Sequence, residues 1–127
     1  MTENEIATII VDAAYKIHKL YGPGLLESAY AAVLAYELAK RGLQVTTEHP
    51  IPLVYEDVRI DVAYKADLVV DDKVIVELKS VERIAPVYYK QLLTYLKLAD
   101  KRLGLLINFG APFIRDGITR VVNGLPE

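Results

Sequence analysis

Residues 67–79 constrain the fold more than any other stretch, because they have the pattern of a β-hairpin. Two mostly apolar, β-branched runs flank the polar residues 71–73. A hairpin folded about Asp72 places Asp67 opposite Glu77. Side chains alternate between the two faces of a strand, so Asp67, Glu77 and Lys79 share one face. Facing carboxylates repel each other, whereas a divalent cation between them would be held by both.

Two interpretations of this face are open at this point. It is either a metal site or an exposed sheet face with two solvated carboxylates and a nearby lysine. The sequence has no cysteine and only two histidines, so thiolate sites are excluded and a zinc site of several histidines is disfavoured. The missing cysteines also exclude disulfides and fit a reducing cytosol.

Length and composition predict one globular domain over residues 1–127. Hydrophobic residues make up 53% of the chain and charged residues 25%. No apolar run approaches the ~20 residues that a membrane span needs, and the polar start is unlike a signal peptide. We therefore expect a cytoplasmic protein without a membrane partner. The net charge of -2 does not support a strongly basic nucleic-acid binder, so a polyanion would need a local basic patch or a metal.

The spacing of apolar residues predicts three helices and a sheet that contains both parallel and antiparallel pairs. Helices are expected over residues 3–20, 25–41 and 87–100. Strands are expected over residues 43–48, 58–70, 74–80, 103–109 and 118–122. Residues 51–55, which contain a proline and follow another, are expected either as a second strand or as a bent edge. The strand, helix and strand between residues 74 and 109 should form a parallel, right-handed crossover.

Five side chains outside the hairpin have expected environments. Thr2 predicts a capping box at the first helix, together with an acidic residue three positions later. His18 lies off the apolar stripe of that helix and is expected at the surface, and His49 is expected in a turn beside proline. Leu26 belongs to the predicted buried stripe of the second helix. Tyr30 should pack in the core with its hydroxyl bonded to a polar partner.

The predicted fold directs further polar side chains toward the carboxylate pair. The crossover helix packs over one face of the sheet and could present Gln91 and Tyr95. The N-terminal helices could bring in Glu27. A carboxylate in the first turn of a helix is favoured by the helix dipole, so capping alone also explains Glu27.

These motifs, taken in order, resemble the PD-(D/E)XK nuclease superfamily. Asp67, a hairpin and Glu77-x-Lys79 match its signature, and Gln91-Leu-Leu-Thr-Tyr95 is similar to the Q-x-x-x-Y element of its RecB-like branch. An E-x-K motif alone is common by chance, whereas several motifs in the right order and spacing are specific.

The N-terminal half carries a third resemblance. Residues 24–30 match the G-x-x-E-x-x-Y signature of the small proteins called the GxxExxY family, and the likeness extends over nearly the whole chain. One position departs from that pattern. Tyr88 stands where the family often has a histidine, three residues before the glutamine.

The resemblance implies an α/β fold with a restriction-endonuclease-like core, in which helices flank a central mixed β-sheet. It implies hydrolysis of the phosphodiester bonds of nucleic acid, with DNA as the expected substrate. Asp67 and Glu77 would hold Mg²⁺ or Mn²⁺, with the main-chain carbonyl of Leu78 and the carboxylate of Glu27 as further ligands. Lys79 would assist the attacking water.

The resemblance also leaves room for a second function. Gln91 and Tyr95 would position a water molecule or the DNA backbone in an active nuclease. The alternative is a catalytically inactive module that keeps the nuclease fold and binds nucleic acid or a protein partner. A homodimer is expected, because so small a nuclease has little surface with which to grip a duplex and its apolar fraction is high.

Overall fold

The computed structural model describes residues 1–126 as helices packed on both faces of one sheet. The helices are α1 (Glu3–Tyr21), α2 (Glu27–Lys40) and α3 (Val87–Ala99). The strands are β1 (Val45–Tyr55), β2 (Val58–Val70), β3 (Val74–Lys79), β4 (Leu103–Asn108) and β5 (Ile118–Val122). A 3₁₀ turn, Ile114–Gly117, precedes β5 and was not predicted. Within residues 1–126 no helix has the length and apolar character needed to cross a membrane.

The five strands form a mixed sheet in the order β1-β2-β3-β4-β5. The β3–β4 pair is parallel and the other three pairs are antiparallel. Helix α3 connects the two parallel strands, as the crossover predicted. The α/β class with a helix-flanked mixed sheet is confirmed, and the predicted helix ends agree with the observed ones to within two residues.

The first strand follows one of its two predicted alternatives. Residues 45–55 form one continuous edge strand, so residues 51–55 belong to the edge strand and do not form a separate second strand. Because β1 is an edge strand, the N–H groups missing from Pro50 and Pro52 need not cost a bond of the sheet. The strand bends at Glu48, whose φ is 47°. The turn predicted at His49 is therefore wrong, and this side chain lies 3.1 Å from the Thr46 hydroxyl, Nδ1 to Oγ1.

The core has one layer on each face of the sheet, as the alternation of side chains requires. On one face α1 and α2 cover Leu68, Val70, Val74, Val76 and Leu78. On the other face α3 covers a smaller cluster that includes Val69 and Ile75. Helix α3 approaches β4 closely, because a Cβ atom at Gly104 would lie only 2.9 Å from a methyl group of Leu92.

Four predicted environments have definite outcomes. The capping box of Thr2 with Glu5 is present. The predicted surface location of His18 is wrong, because the segment after β4 covers its ring and Nε2 lies 2.9 Å from the carbonyl oxygen of Ala111. Leu26 is 77% exposed, contrary to its predicted burial. It is the extended N-cap residue of α2, so it is not on the helical stripe. The core position of Tyr30 is confirmed.

Candidate functional site

Asp67 and Glu77 lie on neighbouring strands where the regular ladder between β2 and β3 ends. Leu68 with Val76 is the last regular pair. Beyond it, the amide of Asp67 donates to Oε1 of Glu77 over 2.9 Å, and the amide of Leu78 donates to Oδ2 of Asp67 over 2.8 Å. Each carboxyl group is thus fixed by the backbone of the opposite strand. The other oxygen of each group is not bonded to the backbone, and the two side chains lie within hydrogen-bonding reach of each other.

Burial gives this pair unusual proton affinity. Glu77 is 7% exposed. Desolvation raises its pKa to about 8, and the charge of Asp67 acts in the same direction. Burial also raises the pKa of Asp67, against the opposing effects of the Leu78 amide and the Lys79 ammonium group. The pair therefore retains a proton near neutral pH when no cation is present. This burial contradicts the interpretation of two solvated carboxylates on an exposed face.

Tyr95 lies close to the carboxylate pair on the buried face of α3. Burial is the main cause that raises the pKa of Tyr95 to about 12, and the negative charges of Glu77 and Asp67 contribute to the shift. Its ring packs against Tyr64 of β2 with centroids 4.9 Å apart. The phenol consequently stays protonated at any physiological pH and can act as a hydrogen-bond donor.

Lys79 is held by an aromatic ring from the same helix. Its Nζ lies 4.3 Å from the centroid of the Tyr88 ring, within the range of a cation–π interaction. Gln91 and Tyr95 follow at three and seven positions along α3, so all three side chains lie on one helical face. Gln91 is partly buried. The residue that departs from the family pattern is thus the one that contacts the predicted catalytic lysine.

Asn108 fixes the chain where it leaves Lys79, and sequence reasoning missed it. It pairs with Lys79 across the parallel strands and is 3% exposed. Its Oδ1 accepts from the amides of Val81 and Gly110, both over 3.0 Å, and its Nδ2 donates to the Val81 carbonyl over 2.9 Å. A Cβ atom at Gly110 would lie 2.4 Å from that carbonyl oxygen, so only glycine permits the approach. The sequence did contain an indication of its role, because Asn108 is the single polar residue at the end of an otherwise apolar strand.

The segment before α2 is tied to the same end of the sheet. The Ser80 hydroxyl donates to the Leu25 carbonyl over 2.9 Å. Tyr30 accepts from the Leu25 amide over 3.1 Å and donates to the Gly22 carbonyl, which confirms its predicted polar partner. Its ring stacks on Phe109 with centroids 4.3 Å apart and planes 8° apart. The tyrosine of the G-x-x-E-x-x-Y motif therefore anchors the loop that leads into α2.

Glu27 is the first residue of α2 and opens on the same cavity as Asp67. This cavity has a volume of about 580 Å³, and Glu48 and Thr47 of β1 also line it. Sequence reasoning missed Glu48, whose charge raises the pKa of Asp67. The register of β1 with β2 places Glu48 opposite Asp67. This neighbour could not be predicted from the sequence, because the pairing of the two strands was not known.

Only two of the three predicted carboxylates, those of Asp67 and Glu77, lie close together. Across residues 1–126 no group of three or more histidine or acidic side chains is arranged to hold a metal ion. The structure brings Asp67 and Glu77 together, with Lys79 and Tyr95 beside them. Glu27 lies on the wall of the adjoining cavity, so its role as a metal ligand stays a prediction, as does that of the Leu78 carbonyl.

One family model matches the chain. It is described as the PD-(D/E)XK nuclease superfamily and covers residues 4–121. Neither the curated proteins nor the solved structures include a significant match. The narrower assignments to the GxxExxY family and to the RecB-like branch stay predictions from the motifs.

Proposed function

The chain belongs to the PD-(D/E)XK nuclease superfamily, and from this premise we propose that it is a divalent-metal-dependent nuclease. The observation that carries the proposal is the reciprocal fixing of a buried and a partly buried carboxyl group by the opposite strands, with a lysine beside them. Such an arrangement destabilises a sheet without a cation. The family match supports a nucleic-acid substrate, and DNA is the expected one.

The donor set of the pair fits a hard cation. Asp67 and Glu77 would hold Mg²⁺ or Mn²⁺ through the oxygens that the backbone amides leave available. The main-chain carbonyl of Leu78 and the carboxylate of Glu27 are further candidate ligands. A bound cation would supply an activated water molecule and neutralise charge on the scissile phosphate.

The surrounding side chains would perform the rest of the chemistry. Lys79, held over the ring of Tyr88, would stabilise negative charge that develops at phosphorus. The protonated phenol of Tyr95 would donate a hydrogen bond beside the carboxylates, since its pKa is raised to about 12. Gln91, one turn away on the same face, would orient the nucleic-acid backbone or a water molecule.

Cleavage assays distinguish this proposal from the alternative. Wild-type protein should cleave single- or double-stranded DNA in the presence of Mn²⁺ and fail to do so with a chelator. RNA substrates of the same sequence test the expected preference for DNA. Metal binding without cleavage of any of these substrates would favour the inactive module that binds nucleic acid or a protein partner.

Metal should stabilise the protein through Asp67 and Glu77. Free Mn²⁺ at about 100 times its dissociation constant should add about 2.7 kcal/mol to the free energy of unfolding. A melting temperature several degrees higher follows, because about 1 kcal/mol corresponds to roughly 2–8 °C in a domain of this size. Asp67→Asn and Glu77→Gln should each reduce this shift in a thermal melt. Asp116→Asn changes an exposed carboxylate and is the matched control. An unchanged wild-type melting curve at millimolar Mn²⁺ would count against the nuclease.

Glu27 can be tested against its capping role. Glu27→Gln should weaken Mn²⁺ binding in calorimetry, while it changes stability by only about 0.3–1 kcal/mol through the helix dipole. Glu3 occupies the first turn of α1, so Glu3→Gln is the control. It removes a carboxylate from the same position of a different helix. If both variants bind Mn²⁺ like the wild type, Glu27 is not a metal ligand and only stabilises the N-terminus of α2.

A further inference from the structure

The hairpin of β1 and β2 extends beyond the rest of the sheet as a two-stranded arm, defined here as residues 52–63. Strand β3 pairs with β2 only at residues 68–70, so the distal part of β2 pairs with β1 alone. A two-residue turn at Glu56 and Asp57 closes the arm, and residues 58–62 are all exposed. Two-stranded ribbons are marginally stable in water, so an arm of this length needs a further partner.

One face of the arm is apolar. Tyr55 pairs with Val58, and Leu53 pairs with Ile60, which places these four side chains on the same face. Val62 is also exposed, in the segment of β2 between Ile60 and Tyr64 where the pairing with β1 shifts register. The exposed fractions are 65% for Tyr55, 57% for Val58, 46% for Ile60 and 51% for Val62. A contiguous exposed apolar row of this kind is a feature of interaction surfaces.

The two outer edges of the arm differ in their capacity to pair. The outer edge of β1 carries Pro50 and Pro52, which cannot donate hydrogen bonds to an added strand. The opposite edge, along residues 58–66 of β2, is not paired with any strand of the described chain. It has no proline. Natural proteins often protect such an edge with charged side chains, and this one carries Arg59, Asp61 and Lys65, so a partner strand has to match these charges.

We propose that this free edge of β2 pairs antiparallel with the same strand of a second copy of the chain, about a two-fold axis at Ile60. In this register Ile60 faces its own counterpart and Val58 faces Val62 of the second copy. Arg59 faces Asp61 of the second copy, and the reverse contact is identical by symmetry. The strand edge is therefore self-complementary in its apolar residues on one face and in its charges on the other, since β-branched pairs and opposite charges across strands are stabilising.

The charges of the arm favour a protein partner over nucleic acid. The arm carries the acidic Glu56, Asp57 and Asp61 against the basic Arg59, so it has a net negative charge. A polyanion would be repelled. Within one chain Arg59 Nε already lies 2.7 Å from Asp61 Oδ1, and both side chains are highly exposed and free to exchange partners. The inference does not depend on nuclease activity.

A single engineered cysteine tests the two-fold axis directly, because the natural chain has none. Opposed residues of an antiparallel pair have Cα atoms about 4.5–5.5 Å apart, which is within the range of a disulfide. Ile60→Cys should therefore form a disulfide-linked dimer under mild oxidation. Tyr36→Cys places a thiol on the exposed surface of α2 and should stay largely monomeric. Equal cross-linking of both variants would overturn the proposal.

A charge exchange tests the register without any covalent bond. Wild-type protein should sediment as a dimer, and Asp61→Arg should weaken the dimer at least about tenfold because two arginines then face each other. The double change Arg59→Asp with Asp61→Arg should restore the dimer. Lys65→Glu, which alters charge outside the paired row, is the control. A wild-type monomer at hundreds of micromolar, or a dimer unaffected by Asp61→Arg, would overturn the proposal.

Discussion

Raising the pH from 5 to 8 in the presence of a chelator should lower the free energy of unfolding by several kcal/mol. The cause is Glu77, whose pKa in the folded protein is raised from 4.5 to about 8 by burial and by the neighbouring Asp67. Each unit of difference between the folded and unfolded pKa is worth about 1.4 kcal/mol, so the full effect is on the order of 5 kcal/mol. This is a large fraction of the stability of a typical domain.

The sign follows from the number of bound protons. Between pH 4.5 and 8 the folded state holds a proton on Glu77 that the unfolded chain has released, so stability is highest below this range and falls as the pH rises. The raised pKa of Asp67 acts in the same direction. Glu5, Glu37 and Asp72 have lowered pKa values, so their contributions are lost only at more acidic pH. Among these carboxyl groups, Glu77 is therefore the main cause of the loss of stability between pH 5 and 8.

Urea unfolding of metal-free protein at several pH values measures this dependence. Glu77→Gln should flatten the curve and be more stable than the wild type at pH 8, because it removes the charge that must be buried. Glu56→Gln alters an exposed turn residue and should follow the wild type. Saturating Mn²⁺ should also remove most of the pH dependence, since a cation replaces the proton. A flat wild-type curve would show that the pair is already ionised at neutral pH.

The hairpin allowed the sequence to predict much of the fold and the centre of the site. Its alternating apolar residues defined which side chains share a face, and the structure places Asp67, Glu77 and Lys79 accordingly. The crossover helix was predicted from the local spacing of apolar residues. The same spacing placed Tyr95 on the face of α3 that packs against the sheet, and in the structure it lies near Asp67 and Glu77. These features could be predicted because they depend on the spacing of apolar residues within single helices and strands.

The remaining features depend on contacts between distant segments. The continuity of β1 through two prolines follows from its position at the edge of the sheet, which the sequence does not encode locally. Glu48 reaches Asp67 only through the register of β1 with β2. His18 is buried because the segment at Ala111, far along the chain, accepts its hydrogen bond. The burial of Glu77, which sets its pKa, likewise requires the assembled sheet and α3.

Replacing Lys79 should separate metal binding from chemistry. Lys79→Met keeps an unbranched side chain of similar length over the Tyr88 ring but removes its charge. The cleavage rate should fall by at least about 10²–10³, the usual cost of losing one group that stabilises charge in the transition state. The melting shift with Mn²⁺ should stay or increase, because a positive charge near the cation is lost. Lys90→Met alters an exposed lysine of α3 and should leave cleavage unchanged.

Tyr88 should influence the same step through Lys79. Tyr88→Phe retains the aromatic face 4.3 Å from the ammonium group and should cleave at nearly the wild-type rate. Tyr88→Leu removes that face and should lower kcat, with little change in KM or in the melting shift with Mn²⁺. The upfield shift that the ring imposes on the Lys79 side-chain protons should be present in the wild type and in Tyr88→Phe, and absent in Tyr88→Leu. If Tyr88→Leu loses this signal but cleaves like the wild type, the lysine acts without help from the ring. If Lys79→Met cleaves normally as well, the charge at residue 79 has no part in the reaction.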